Sequence, residues 1–216
     1  MRLSIARLYQ KGENWNRGMG YSRLFHYLHT FIRVASVKKY DILLYSLICC
    51  IINGKGKMDM DIQVISKQSF SVIGKEGQGM AASSQEWIPP LWTEANAHFA
   101  EIAGLVKYDE AGRIAGLWGA MSDIDNTFKP WDHQGKYLAG CEVPDAAIPP
   151  TGWTKWTIPA FSYIVATCSQ DQYAETFSYV LKEFFPKNNY SLAGAVQEFY
   201  SEPGNSDRIA LYFPIE

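Results

Sequence analysis

SFSVIGKEG (residues 69–77) and AFSYIVATC (residues 160–168) decide the fold, because the second echoes the first. Phe161 stands against Phe70, an offset of 91 (161 − 70). Both are short apolar runs rich in β-branched and aromatic residues, the composition of strands. Each is followed by a helical pattern and then by two further strand-like runs. The expected fold is therefore α+β: duplicated β-α-β-β units related by a pseudo-twofold, forming an antiparallel sheet with two helices. Such halves leave a central cleft between them, where a small molecule finds a concave, mostly apolar site.

Working outward, GQGMAASSQE (residues 77–86) reads as a Gly/Ser/Ala loop or flap without the lysine and spacing of a P-loop. Pro89 and Pro90 suit the first turn of a helix that carries Leu91, Ala95, Phe99 and Ile102 on one stripe and stops at Gly104. RIAGLWGAMSD (residues 113–123) and KYLAGCEV (residues 136–143) are the next strands. PDAAIPPTG (residues 144–152) is a hinge between the halves. In the second half, Ser169 and Gln172 have capping-box spacing at the start of a helix that Pro186 is expected to stop. GAVQEFYSE (residues 194–202) and RIALYFPI (residues 208–215) close the chain as strands.

Charge divides the chain at the same place as pattern does. Residues 1–57 hold ten Lys/Arg and two acidic residues, a net of +8, which leaves −10 for residues 58–216 if the whole carries −2. An acidic domain lacks the positive charge that phosphate contacts need, so residues 58–216 are not expected to bind nucleic acid directly. The four cysteines show no CxxC spacing, and Cys49 and Cys50 are adjacent. That is the usage of a reduced, cytoplasmic protein with neither a zinc ribbon nor a disulfide framework. No metal and no cofactor is expected. LLYSLICCII (residues 43–52) is ten residues long, about half of what a membrane span needs.

The basic segment 1–57 contains RLFHYLHTFIRV (residues 23–34), which would form an amphipathic helix with Leu24, Tyr27, Leu28 and Phe31 on one face. His26 and His29 offer a metal pair without a third ligand nearby. Lys55-Gly56-Lys57-Met58 is encoded by a purine-rich run ahead of ATG, as a ribosome-binding site would be. Translation is therefore expected to begin at Met58 or Met60, with the upstream part being DNA read in frame.

Glu198 is the candidate for chemistry. Strand alternation puts Val196, Glu198 and Tyr200 on one face and Gln197 and Phe199 on the other. If the second face forms the core, Glu198 is a solvated surface carboxylate. If the first faces an aromatic cleft, the carboxylate must take a cation, accept hydrogen bonds or hold its proton. Six of the seven tryptophans follow Met58, and core filling is the ordinary role of any one of them.

WIPPLW (87–92), LWGAMSD (117–123), YLAGCEV (137–143), TIPAFSYIV (157–165), QEFY (197–200) and LYFPI (211–215), in that order, resemble the GyrI-like small-molecule-binding family. The same fold forms the effector-binding domain of AraC-type and multidrug-sensing transcription activators. The resemblance covers residues 58–216. It implies that Glu198 lies in the cleft and meets small aromatic or cationic ligands between aromatic walls. Trp118, Tyr137, Tyr163 and Trp92 are the candidate lining, ahead of Trp131 and Trp156. Fifty-seven preceding residues leave no room for the helix-turn-helix region of the AraC-type regulators, so a stand-alone binding domain is expected. Some members hydrolyse strained cyclopropane rings of DNA-alkylating natural products. In that alternative Glu198 is the general base and Tyr163 or Tyr137 holds the ligand carbonyl. Others inhibit DNA gyrase or serve transcription regulators. His98 and His133 are read as solvated, and Cys141 and Cys168 as small core residues.

Mass spectrometry of the native N-terminus is expected to start at Met58 or Met60; peptides from residues 1–50 would overturn the start-site reading.

Overall fold

The computed structural model describes residues 60–110, 112, 114–200 and 207–216. The helix expected at 23–34, the His26/His29 pair, Cys49, Cys50 and the start-site segment lie outside the described residues. Eight strands form one antiparallel sheet: β1 (Asp61–Lys67), β2 (Phe70–Met80), β3 (Leu117–Ser122), β4 (Gln134–Val143), β5 (Thr154–Ile158), β6 (Phe161–Ser169), β7 (Gln197–Tyr200) and β8 (Arg208–Ile215). Helix α1 (Ser84–His98) follows β2, and α2 (Tyr173–Tyr179) follows β6. Among the described residues, no helix is long and apolar enough to cross a membrane.

The strand order is β1-β6-β8-β7-β3-β4-β2-β5, which reads the same from either end once the halves are exchanged. Ser71 pairs with Val143 where Ser162 pairs with Ile215, and Gly119 pairs with Ala139 where Glu198 pairs with Leu211. The duplication expected from residues 69–77 and 160–168 is thus a pseudo-twofold of the whole sheet. Each half carries one strand more than expected. The run 61–77, read as one bent strand, breaks at Gln68 and Ser69 into β1 and β2, and the second half breaks likewise at Pro159 and Ala160. Each extra strand pairs with the other half, β1 with β6 and β5 with β2. The cleft therefore lies over one continuous sheet, not between two.

These two-residue links set the curvature. Gln68 and Ser69 carry the chain from one edge of the sheet to the strand next to the other edge, yet two extended residues reach only about 7 Å. A flat sheet would separate β1 from β4 by about 24 Å, five strand spacings. Instead Lys67 Nζ of β1 lies 3.2 Å from Glu142 Oε2 of β4. The sheet curls until its ends meet, and its inner face closes over Phe70, Val72, Trp118, Ala120, Leu138, Trp156 and Ile158. Asp123 pins part of this closure. Burial raises its pKa, but hydrogen bonds from Thr127 and Ser122 outweigh burial and hold it at about 2, which fixes the loop that lays Phe128 against Trp156.

Both helices cover the outer face. Residues 77–86 are not a loop: β2 runs to Met80, and α1 starts at Ser84. The glycines there serve packing, since a Cβ on Gly77 would strike Leu91 and one on Gly79 would strike the indole of Trp87. Pro89 and Pro90 accordingly lie inside α1, not in its first turn. Nor does Pro186 stop the second helix. A π turn at Val180–Phe184 accommodates its missing N–H, and α3 (Phe185–Asn188) continues to Asn189, whose φ is 57°. Ser169 Oγ meets Gln172 Oε1 at 3.1 Å, so the pair interacts side chain to side chain and not as a capping box.

Gly74 and Gly140 face each other across β2 and β4. A Cβ on Gly140 would stand 2.2 Å from Ile73 O and 2.7 Å from Gly74 Cα, backbone atoms that cannot swing aside. Gly140→Val is expected to cost about 3 kcal/mol, a Tm loss of roughly 6–12 °C. Gly104→Ala, with nothing within 4 Å of the added Cβ, is the control that should leave Tm unchanged; equal losses in a melting experiment would contradict the tight-crossing account.

Candidate functional site

The pseudo-twofold axis passes between Gly119 of β3 and Glu198 of β7, equivalent residues that are also cross-strand partners. On the helix-covered face, one carries a carboxylate and the other no side chain at all. The vacated space is filled by Tyr137: a Cβ on Gly119 would lie 2.0 Å from its hydroxyl and 2.7 Å from Glu198 Oε2.

Glu198 is 7% exposed. Tyr137 Oη donates to Oε2 at 2.7 Å, Tyr200 Oη to Oε2 at 3.0 Å, and Tyr173 Oη to Oε1 at 2.8 Å. Trp92 Nε1 donates in turn to Tyr137 Oη at 3.0 Å, and its ring meets Tyr200 edge-on at 5.3 Å. β4, β7, α1 and α2 each contribute to this cage, with α1 supplying Trp92 and the first residue of α2 supplying Tyr173. No described Lys or Arg forms an ion pair with the carboxylate. Burial raises the Glu198 pKa, and the three phenol bonds oppose that shift without cancelling it. Burial, then the facing carboxylate, pushes the Tyr137 and Tyr173 hydroxyls well above their ordinary range. They remain neutral donors. The chemistry available is that of a desolvated anion inside an aromatic cage: it can meet a cation or take a proton.

Of the residues named from the sequence, Glu198, Tyr137 and Trp92 come together here. Trp118 and Tyr163 do not. Trp118 lies on the inner face, 1% exposed, with ring centroids at 4.6 Å from Phe70, 4.8 Å from Phe199 and 5.0 Å from Tyr212. Its indole N–H donates to Glu142, not Glu198. Tyr163, also 1% exposed, packs against Phe161 and Tyr212 on that inner face, where its hydroxyl has no hydrogen-bond partner among the described residues. Strand parity explains both: Trp118 is opposite Phe199, whose side chain points away from Glu198's. Trp156 belongs to the inner face as well, and Trp131 stacks on Trp87 at 5.7 Å. Tyr173, Tyr200 and Gly119 were not named as site residues. Tyr200 shares Glu198's face by alternation, and Tyr173 falls on the inward stripe of its helix, so both had a signal; Gly119 had none without the strand register.

The family model described as "Cass2: Integron-associated effector binding protein" matches residues 63–215. Among curated proteins no sequence matches the chain. Among solved structures, SAV2435 bound to tetraphenylphosphonium is similar with a TM-score of 0.55 and 15% identity, over 72% of this chain and 94% of that one. A protein from Staphylococcus aureus MU50 assigned to bacterial transcription regulation gives a TM-score of 0.51 and 16% identity, over 74% and 99%. An integron cassette protein of Vibrio cholerae gives 0.49 and 12%, over 73% and 99%. At these identities the first two likenesses are of fold alone.

A carboxylate whose folded pKa is raised costs stability at pH values where the unfolded chain ionises it freely. That cost is absent below the ordinary carboxylate pKa, grows as pH rises toward the folded value, and is constant above it. Glu198→Gln should therefore raise the Tm of the ligand-free protein at pH 7–8 by a few degrees, with the gain shrinking as pH falls toward 4. A lower Tm for the variant at pH 7 would mean that the three phenols more than compensate the buried charge.

Proposed function

Because the chain belongs to the integron-associated effector-binding protein family, we propose that it binds a small aromatic cation, with Glu198 as the counter-charge and Tyr137, Tyr173, Tyr200 and Trp92 as the aromatic walls. One observation carries this reading. A carboxylate has been taken out of water and given three phenol donors, and no described Lys or Arg pairs with it. A buried anion costs several kcal/mol unless a charge or strong hydrogen bonds offset it, and phenols offset it only in part here. A hydrophobic cation would complete the site, gaining the full charge and roughly 0.5–2 kcal/mol per aromatic face. The cation bound to the structurally similar SAV2435 is of this kind. Glu198 is 7% exposed, so a ligand reaches it only when a cage residue moves, and Trp92, partly buried and tied to Tyr137 by one hydrogen bond, is the candidate.

A second reading is favoured by the raised Glu198 pKa. The carboxylate is a stronger base than in water, as general-base activation of water for opening a strained ring requires. Tyr163 takes no part in that reading, since it lies across the sheet; Tyr137 or Tyr173 holds the ligand oxygen instead.

Titration with tetraphenylphosphonium, followed by calorimetry, separates these. Wild type should bind more tightly as pH rises and Glu198 ionises. Glu198→Gln should lose tenfold or more in affinity, about 1.4 kcal/mol, and lose the pH dependence, while neutral triphenylphosphine oxide binds both proteins alike. Equal cation affinity in the two proteins would end the counter-charge proposal. Under the hydrolytic reading the variant keeps its ligand affinity and loses turnover of a cyclopropane-bearing alkylator.

A further inference from the structure

We propose that the inner face of the sheet carries a second small-molecule site, for a neutral single-ring aromatic bearing a carbonyl acceptor, at the end where β1, β6 and β8 meet. A cavity of about 200 Å³ opens there. Its apolar wall is Val165, Phe199, Ala210 and Tyr212, and Gln63, Thr167 and Arg208 form its polar rim. Its volume is below the roughly 300–1,000 Å³ of drug-sized pockets, which suits one ring and excludes a polycyclic ligand.

The pseudo-twofold shows that this space is a departure from the other half. Register equates Thr167 with Glu76, Ala210 with Leu138 and Ile65 with Trp156. At the end of the sheet where β5 pairs with β2, the Trp156 indole occupies the inner face and donates to Glu76 Oε2 at 2.9 Å, closing that end. At the opposite end, where β1 pairs with β6, Ile65 stands in place of the tryptophan, Thr167 of the glutamate and Ala210 of the leucine. The plug is gone, while the aromatic walls Phe199 and Tyr212 stand where the first half has Ala120 and Gly140. One end is filled from within by an indole; the other holds the cavity. A planar aromatic that returns the lost ring has the shape for it, with Phe199 and Tyr212 offering edge and face contacts.

The rim sets the polarity. Arg208 donates to Thr167 O at 3.4 Å, and Gln63 projects from the facing strand. Asp61 shares the face of Gln63 and pairs across with Thr167. Gln63, Thr167 and Arg208 place polar groups at the mouth, which suits a neutral molecule whose carbonyl accepts a hydrogen bond. This site faces away from Glu198, on the other side of β7, and does not depend on what the Glu198 cage binds.

Benzamide is the probe. Titrated into the ¹⁵N-labelled protein, it should give saturable shifts centred on Val165, Thr167, Ala210 and Tyr212. Ile65→Trp places an indole where the other half has one, and should weaken benzamide at least tenfold while leaving tetraphenylphosphonium binding as in wild type. Absence of saturable shifts, shifts centred on Tyr137 and Glu198, or undiminished binding by Ile65→Trp would each overturn the proposal. If that variant fails to fold, the wild-type shift map decides alone.

Discussion

A sheet built from two copies of one unit must place equivalent residues side by side on its symmetry axis, and here those residues are Gly119 and Glu198. The constraint is severe. Cross-strand neighbours on one face have Cβ atoms about 4.5–5.5 Å apart, so two carboxylates would repel at close range and two bulky side chains would leave no space for a site. The halves have diverged to one charge and one absence of side chain. Everything around the cage follows: Tyr137 reaches over Gly119 to the carboxylate, Trp92 donates to Tyr137, and each helix supplies one aromatic residue. A side chain on Gly119 would break the arrangement before it touched any ligand.

Curvature makes this position private. The links at residues 68–69 and 159–160 force the sheet to curl, so its inner face buries itself with no covering helix among the described residues. Both helices are then left for the outer face, where they flank β3 and β7. Glu198 is buried because helices cover one side of β7 and the curl covers the other. The site inherits its dryness from the connectors, and the raised pKa of Glu198 is a consequence of chain topology as much as of its immediate neighbours.

How legible was this? The strands and the duplication were, because alternation and the echo of residues 69–77 in 160–168 are local patterns. β8 begins and ends where RIALYFPI does. Glu198 was legible as a candidate, but its face was not, since alternation separates faces without saying which is covered, and here both are. Trp118 and Tyr163 were expected beside it because aromatic content points to a pocket without assigning a side; the register of β3 against β7 put Trp118 opposite Phe199. Residues 77–86 misled for a related reason. Gly77 and Gly79 mark the close approach of α1 to β2, and glycine needed for contact reads the same as glycine needed for a turn. Pro186 was expected to end a helix that instead absorbs it through a π turn.

The two faces of β7 carry opposite chemistry within four residues. Glu198 and Tyr200 present a carboxylate and a phenol to the helices, while Phe199 presents an apolar ring to the interior. Exchange of the first strands made this possible, because a strand at the centre of a curled sheet has two buried sides and therefore two places to hold a small molecule. The end where β5 meets β2 uses its inner side for stability, with Trp156 and Glu76 locked together. The end where β1 meets β6 has no such indole, and Phe199 and Tyr212 line it. Duplication supplies two equivalent positions, of which one carries packing that stabilises the sheet and the other is left open. The cage at Glu198 and the cavity beside Phe199 both sit where the two copies differ, one at a charge whose twin has no side chain, the other at an end of the sheet whose twin is filled by an indole.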